Sequence, residues 1–307
     1  MDLRQIQYFL CLAEEGNMTR AARQLNIVQP ALSMQIAKLE RSIGKKLFYR
    51  AAHGMSLTPA GETLATLASS IIRNVDHARD EMARLDGKIS GRVSIGMITS
   101  AAQSTLAAST ARIAAKYPEI QLLVCEGYTE TLMEWVVAGQ LDIAIVNKPS
   151  GKTLLTSHHI LDEEMILVRS PNCSIRLPKT VPYSQVQNLD LVVPSRRHGL
   201  RRILDSIAAD SGFNLKPRLE IDTLSAICEV VAATNLVTVL PGIAVHHALE
   251  TGKLEVHRLR KPAIARTVTW VAHPRRVVSA AMSAVIEVIS DDLRAAAKSA
   301  ARFASRR

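Results

Sequence analysis

Three stretches of helical apolar spacing fill the start of this chain, and the breaks between them leave little freedom in how they pack. Leu3, Ile6, Phe9, Leu10 and Ala13 recur at helical intervals. Gly16 suits the left-handed position that closes a helix, and Asn17 suits the N-cap of the next. That helix is short, Met18 to Leu25, with Ala21, Ala22 and Leu25 on its inner face. After the break Asn26-Ile27-Val28, Gln29-Pro30 opens a third helix, because proline is tolerated in a first turn. Leu32, Ile36, Leu39 and Ile43 make its buried stripe, and it ends before Gly44. Two short helices so spaced, the first rich in alanine so that they approach closely, predict a helix-turn-helix.

The third helix divides its faces in a way that suits a reader of DNA. Gln29, Pro30, Ser33, Met34 and Ala37 lie opposite the buried stripe, small or polar toward the helix start. A helix entering a major groove contacts base edges from its N-terminal residues, and glutamine can bond adenine on two atoms. Met34 suits apolar contact with a thymine methyl. Lys38, Lys45, Lys46 and Arg50 suit phosphates. Leu47-Phe48-Tyr49-Arg50, a turn around Gly54 and Met55-Ser56-Leu57 read as a two-stranded wing. Charge agrees: residues 1–58 carry eight Lys/Arg against four acids, within a chain whose net charge is +10. Such an excess favours a polyanionic partner.

The string NMTRAARQLNIVQPALSMQIAKLERSIGKKLFYR, followed by GMSLTPAGE, resembles the winged helix-turn-helix of LysR-type transcriptional regulators over about sixty residues without a gap. The resemblance implies double-stranded promoter DNA as partner, with Thr19, Gln29, Pro30, Ser33, Met34, Lys38, Arg50 and His53 at the interface. Three features depart from the family pattern, one of them Met34, which offers no hydrogen-bond code. Val28 stands where a serine cap is usual, and the wing, Arg50-Ala51-Ala52-His53, is poor in arginine.

Thr58 and Pro59 then cap and open a long helix in which Leu64, Ala68, Ile71, Val75, Ala78, Met82 and Leu85 alternate at fours and threes. A single narrow seam of this kind predicts burial against a partner helix, and the family uses the equivalent helix as a dimerisation arm. The resemblance further implies a homodimer, a homotetramer built from it, and RNA polymerase among the partners. The organisation expected is 1–58 as the DNA-binding domain, 59–88 as linker helix, 89–293 as effector domain and 294–307 as a solvated basic tail.

From about residue 89, strand-like and helical runs alternate, which predicts an α/β domain with mostly parallel strands. The family's effector domain is a two-lobed α/β unit like that of periplasmic solute-binding proteins. One lobe is expected at 89–161 with 267–293, the other at 162–265, and Arg266–Ala272 as a returning strand. Ligands in such folds sit where strand ends meet helix starts. Loops there are expected to supply Thr99, Ser100, Gln103, Thr129, Asn147, Ser195, Arg197 and Thr223. Hydroxyls, helix-start amides and the arginines Arg196, Arg197, Arg201 and Arg202 suit a small carboxylate or related anion. The segment SRRHGLR resembles the nitrogen-assimilation-control branch of the family.

Other readings carry less. His158-His159 and His246-His247 lack any zinc frame, and no GxSxG, P-loop or GxGxxG occurs, so neither a metal, a cofactor nor an enzymatic activity is expected. Cys11, Cys125, Cys173 and Cys228 form no CxxC pair; Cys173, flanked by polar residues near Arg169 and Arg176, is the one expected to be exposed and ionisable. A thiol-based redox-sensing regulator and a solute-binding protein without regulatory output remain alternatives. No apolar run approaches the roughly 20 residues a membrane span needs, and the N-terminus has no signal-peptide pattern, so a cytoplasmic chain without membrane contact is expected.

Overall fold

The structure is a computed structural model that describes residues 1–51, 54–84, 89–149 and 151–306. Two compact units form: Met1–Gly91 with Val137–Gln140, and the remainder. His53 and Leu85 lie outside the described residues.

In the first unit, α1 (Leu3–Glu15), α2 (Met18–Gln24) and α3 (Gln29–Ile43) follow the predicted spacing closely. The caps are the predicted ones: Gly16 and Gly44 are left-handed at φ 58° and 74°, and the Asn17 side chain accepts from the amides of Thr19 and Arg20. A capping box between Asp2 and Gln5 also starts α1. Ile6, Phe9, Leu12, Ala21, Ala22, Leu32, Ile36 and Leu39 form one core. The wing is β1 (Phe48–Ala51) paired antiparallel with β2 (Gly54–Leu57).

Helix α4 (Pro59–Arg84) is anchored at its start, where Thr58 Oγ1 accepts from Gly61 N at 3.0 Å and donates to the Lys46 carbonyl at 2.7 Å. Its seam corrects one expectation. Ala68 is fully buried in the winged-helix core, and Leu64 and Ile71 pack against that core. The first half of the stripe is therefore an intramolecular face. Only beyond it do Ala78 and Met82 stand exposed, with Val75 half-buried.

The second unit holds a mixed eight-stranded sheet in the order β4-β3-β5-β12-β6-β11-β7, with β10 also on β6. Here β3 is Gly91–Ile98, β4 Ile120–Gly127, β5 Ile143–Asn147, β6 Thr156–Arg169 and β7 Thr180–Pro182. Further along, β8 is Val192–Val193, β9 Leu219–Glu220, β10 Thr238–Pro241, β11 Glu255–Arg260 and β12 Ala265–Ala272. Within each lobe parallel pairs occur, β3 with β5 and β7 with β11, and β8 pairs parallel with β9. The strands joining the lobes do not follow this rule: β12 runs antiparallel to both β5 and β6, and β6 antiparallel to β10 and β11. The expectation of mostly parallel strands fails there because β6 and β12 are crossing strands, traversed in opposite directions. Strand β6 spans 14 residues and serves both lobes, so the expected division at 161/162 falls in its middle.

The helices are α5 (Thr99–Lys116), α6 (Thr129–Val137), α7 (Gly199–Asp210), α8 (Leu224–Ala233), α9 (Gly242–Glu250) and α10 (Ala280–Arg306). Residues 294–306 are not a frayed tail. They continue α10, with Ala300 3% exposed and Phe303 packed on the second lobe's core. His246 on α9 meets Ser299 at 2.8 Å and sets its ring edge-on to Phe303. Among the described residues, no helix is long and apolar enough to cross a membrane.

Candidate nucleic-acid interface and inter-lobe site

A shallow depression of about 260 Å³ gathers Asn17, Thr19, Gln29, Ser33 and Arg50 on one face of the first unit. Asn17 and Thr19 open α2, Gln29 and Ser33 lie in the first turns of α3, and Arg50 projects from the wing. Pro30 and Lys38 are exposed on α3, and Met34 is 60% exposed. Met34 stands on the same helix as Gln29 and Ser33.

The wing is seated by close backbone approach. Met55 N donates to Gly16 O at 2.7 Å, and a Cβ on Gly54 would lie 2.6 Å from that oxygen. At Gly61 a Cβ would come within 2.2 Å of the Leu47 carbonyl. Glu40 ties α3 to the wing's approach, accepting from Leu47 N at 2.9 Å and pairing with Lys46 at 2.7 Å. Burial would raise its pKa, but these donors outweigh burial and hold it below the usual glutamate range. Val28, as foreseen, offers α3 no side-chain cap.

In the second unit a polar cluster lies where the lobes meet. Its centre is Arg266 on β12, whose side chain is fully buried. Nε and Nη2 donate to Glu163 Oε2 at 3.0 and 2.8 Å, and Nη1 to Ser100 Oγ and Asn147 Oδ1 at 2.9 and 3.2 Å. Glu163 Oε1 in turn accepts from Ile243 N at the start of α9, at 2.7 Å. Since arginine only donates, Asn147 must turn its amide nitrogen away from it, toward Gly199, where an added Cβ would be 2.9 Å from Nδ2.

His198 caps α7: its Nδ1 accepts from Leu200 N at 3.2 Å. Burial pushes its pKa down to about 4, Asp222 opposing and Arg266 and Arg202 reinforcing the shift. The ring is therefore neutral with its proton on Nε2, and that buried N–H has no partner among the described residues. The buried Thr129 Oγ1 has none either. Tyr128 sets its ring edge-on to His198 at 5.5 Å and faces Asp222. Burial raises Tyr128 and would raise Asp222, but Ser195 and Tyr128 more than compensate at the carboxylate and hold it low. Arg202 and Glu130 pair across the same junction.

Of the residues expected here, Ser100, Thr129, Asn147 and Ser195 are brought together, and Thr99 lies buried beside Ser100. Thr99, Ser100 and Gln103 are not loop residues, because α5 begins directly at Thr99. Gln103 is exposed and outside the cluster, and Thr223 is exposed at the N-cap of α8 without a side-chain cap bond. Arg197 is exposed and acts on Tyr128. Arg201 is not at a cleft mouth. It is 1% exposed and held by Asp205 and Glu220 at 2.8 Å each. Arg266, Glu163, Tyr128 and Asp222 went unforeseen. The available signal was a charged residue opening an apolar strand, since such a charge needs a distant partner.

The thiols also correct an expectation. Cys173 is 8% exposed, its Sγ against the Asn235 carbonyl at 3.7 Å, and burial pushes Cys228 up to about 11. His158 stacks on Trp270 while His159 meets Asp162, so the adjacent histidines diverge.

Comparison with known proteins places both units. Residues 3–62 match the bacterial regulatory helix-turn-helix protein model of the lysR family, and residues 86–294 match the LysR substrate binding domain. The chain belongs to the LysR family. This LysR-type transcriptional regulator thus joins a DNA-binding unit to an effector-binding unit. It is 27% identical over 290 residues to the nitrogen assimilation regulatory protein nac of Escherichia coli (strain K12), covering 94% of each chain. That likeness agrees with the branch suggested by SRRHGLR. Among solved structures, a full-length OxyR variant from Pseudomonas aeruginosa superposes with TM-score 0.72 at 22% identity, covering 97% of each chain. CbnR in complex with its target DNA gives TM-score 0.68 at 17% identity, covering 97% of this chain and 100% of that one. These likenesses concern the fold, including the two-lobed architecture of the LysR effector unit.

Proposed function

We propose that this LysR-type regulator reads an inverted repeat with two copies of α3 and is controlled by a small anion bound between the lobes. Base reading falls to Gln29, Ser33 and Met34, with Thr19 and Pro30 beside them and Lys38, Arg50 and His53 toward phosphates. The gathering of Thr19, Gln29, Ser33 and Arg50 around one depression supports this assignment. The exposed far half of the α4 stripe, Ala78 and Met82, supports dimerisation there, and a dimer of dimers follows the family's organisation.

The single observation that carries the anion is the set of unspent donors at converging helix starts. His198 Nε2–H and Thr129 Oγ1 are buried without partners among the described residues, and Asn147 Nδ2 faces Gly199. Thr99 and Ser100 open α5, Thr129 opens α6 and Gly199 opens α7, so the positive ends of these helices add to the donors. Arg266 is already neutralised by Glu163, so recognition rests on these groups with Arg197 rather than on a free buried cation. The redox alternative gains no support from Cys173, which is buried, or from Cys228, whose pKa burial raises.

A footprint on the DNA upstream of its own gene, taken at several salt concentrations, tests the reading. A discrete protected inverted repeat is expected. Gln29→Ala with Ser33→Ala should cut operator affinity by about 1–3 kcal/mol per lost base contact while sparing non-specific binding. Diffuse protection that vanishes with salt would overturn the assignment. Thr129→Val should abolish the response to effector with operator affinity intact; an unchanged response removes the inter-lobe site from the account.

A further inference from the structure

A second cavity, separate from the inter-lobe donors, lies between the crossing strand β6, the start of α9 and the last turns of α10, with a volume of about 410 Å³. We propose that it binds a small amphipathic carboxylic acid, with Lys298 and Arg258 taking the carboxylate and Leu161, Ile166, Ala297 and Ala301 taking the apolar part. The volume lies within the roughly 300–1,000 Å³ typical of small-molecule sites. Ala297, Lys298 and Ala301 lie beyond residue 294, where the match to the family's substrate-binding domain stops, so this wall belongs to the extended α10 of this chain.

Charge decides the class of ligand. Every acid on the lining is engaged. Glu163 is held by Arg266 and by Ile243 N, Asp162 by Thr267 and His159, and Glu164 by two guanidiniums, Arg258 and Arg260. Arg294 is bound to the Ile160 carbonyl and to Asp291. Lys298 is exposed and has no ion-pair partner among the described residues, while Arg258 keeps a buried Nε–H without an acceptor. The lining carries three acids and three bases, and with each acid and Arg294 already engaged, the Lys298 ammonium and the Arg258 Nε–H are the donors left on this wall without an acceptor among the described residues. A carboxylate head supplies that acceptor with charge-assisted hydrogen bonds. An occupant would also lie against Glu163, on the side of the Glu163–Arg266 pair away from Ser100 and Asn147. The inference stands independently of the inter-lobe effector.

Titration calorimetry of the full chain with hexanoate, hexan-1-ol and hexylamine tests it. Hexanoate alone should bind at millimolar concentration or below. Lys298→Glu, an exposed change, should weaken that binding at least about tenfold, the loss of one charge-assisted contact. Ala297→Phe, which fills the cavity, should abolish it, and Thr129→Val should leave it intact. Absence of hexanoate binding, equal binding of all three probes, or binding that survives Lys298→Glu overturns the proposal. Binding lost only in Thr129→Val would put the acid between the lobes instead. A fall in oligomeric state with Ala297→Phe, without any hexanoate binding, would mean the cavity is a contact with a second copy.

Discussion

Arg266 shows how much can hang on one side chain. It is fully buried, spends donors on Glu163, Ser100 and Asn147, and thereby sets the orientation of the Asn147 amide. Removing one partner of such a pair strands the other charge in the interior. Arg266→Met should therefore cost about 3–5 kcal/mol of stability, measured by urea unfolding. Glu163→Gln paired with Arg266→Met should recover part of that loss, because no bare charge remains; failure to recover would mean that the hydrogen bonds to Ser100 and Asn147, rather than the charges, dominate. His198 adds a pH dependence. Its folded pKa of about 4 lies below its ordinary 6.5, so above pH 6.5 neither folded nor unfolded chain holds the proton and the residue has no effect. As pH falls from 6.5 toward 4 the unfolded chain takes up the proton first, and the fold loses up to roughly 3 kcal/mol. A urea titration across that range should show the loss, and His198→Asn should flatten it.

At the scale of elements, α3 offers the cleanest test, because it carries the proposed reading face yet lacks a side-chain cap. Val28 is 69% exposed, already extended at φ −79° and ψ 142°, and makes no side-chain bond to the helix start. Val28→Ser should satisfy one orphan amide and stabilise the chain by about 0.5–2 kcal/mol, visible as a raised urea midpoint with unchanged slope. The wing has no such slack. Gly54 sits at φ 142° against the Gly16 carbonyl, so a side chain there must push the wing off α1's end. Helix α4 is divided in purpose: Leu64, Ala68 and Ile71 complete the winged-helix core, which a seam read from heptad spacing alone cannot reveal.

For the whole molecule, the exposed remainder of α4 carries the prediction. Met82→Glu should weaken self-association, read by sedimentation, and lower operator affinity more steeply than non-specific affinity, because two reading helices no longer arrive together. An unchanged sedimentation profile would move the dimer contact elsewhere. Within the effector unit, crossing strands β6 and β12 and helix α10 serve both lobes. Arg266, Glu163 and Ile243 form a continuous hydrogen-bonded path from the inter-lobe donors to α9. On the proposed function, a ligand that changed how the lobes close would act on this path, and would shift the balance only by binding one arrangement more tightly than the other.

What was legible in the amino-acid sequence is what short-range physics decides. Helix spacing, left-handed Gly16 and Gly44, the Asn17 and Thr58 caps and Pro30 in a first turn depend on neighbours within about one turn, so α1 to α3 emerge nearly to the residue. The same locality explains why Thr129 and Asn147 are legible as residues at helix and strand ends. Tertiary structure alone decided the rest. Arg266 finds Glu163 across 103 positions, Ser109 on α5 finds Asp292 on α10 across 183, and no periodicity encodes such a pairing. It decided, too, that residues 294–306 dock as helix instead of fraying, because Ala300 and Phe303 gain a core to bury against that exists only once the second lobe has formed.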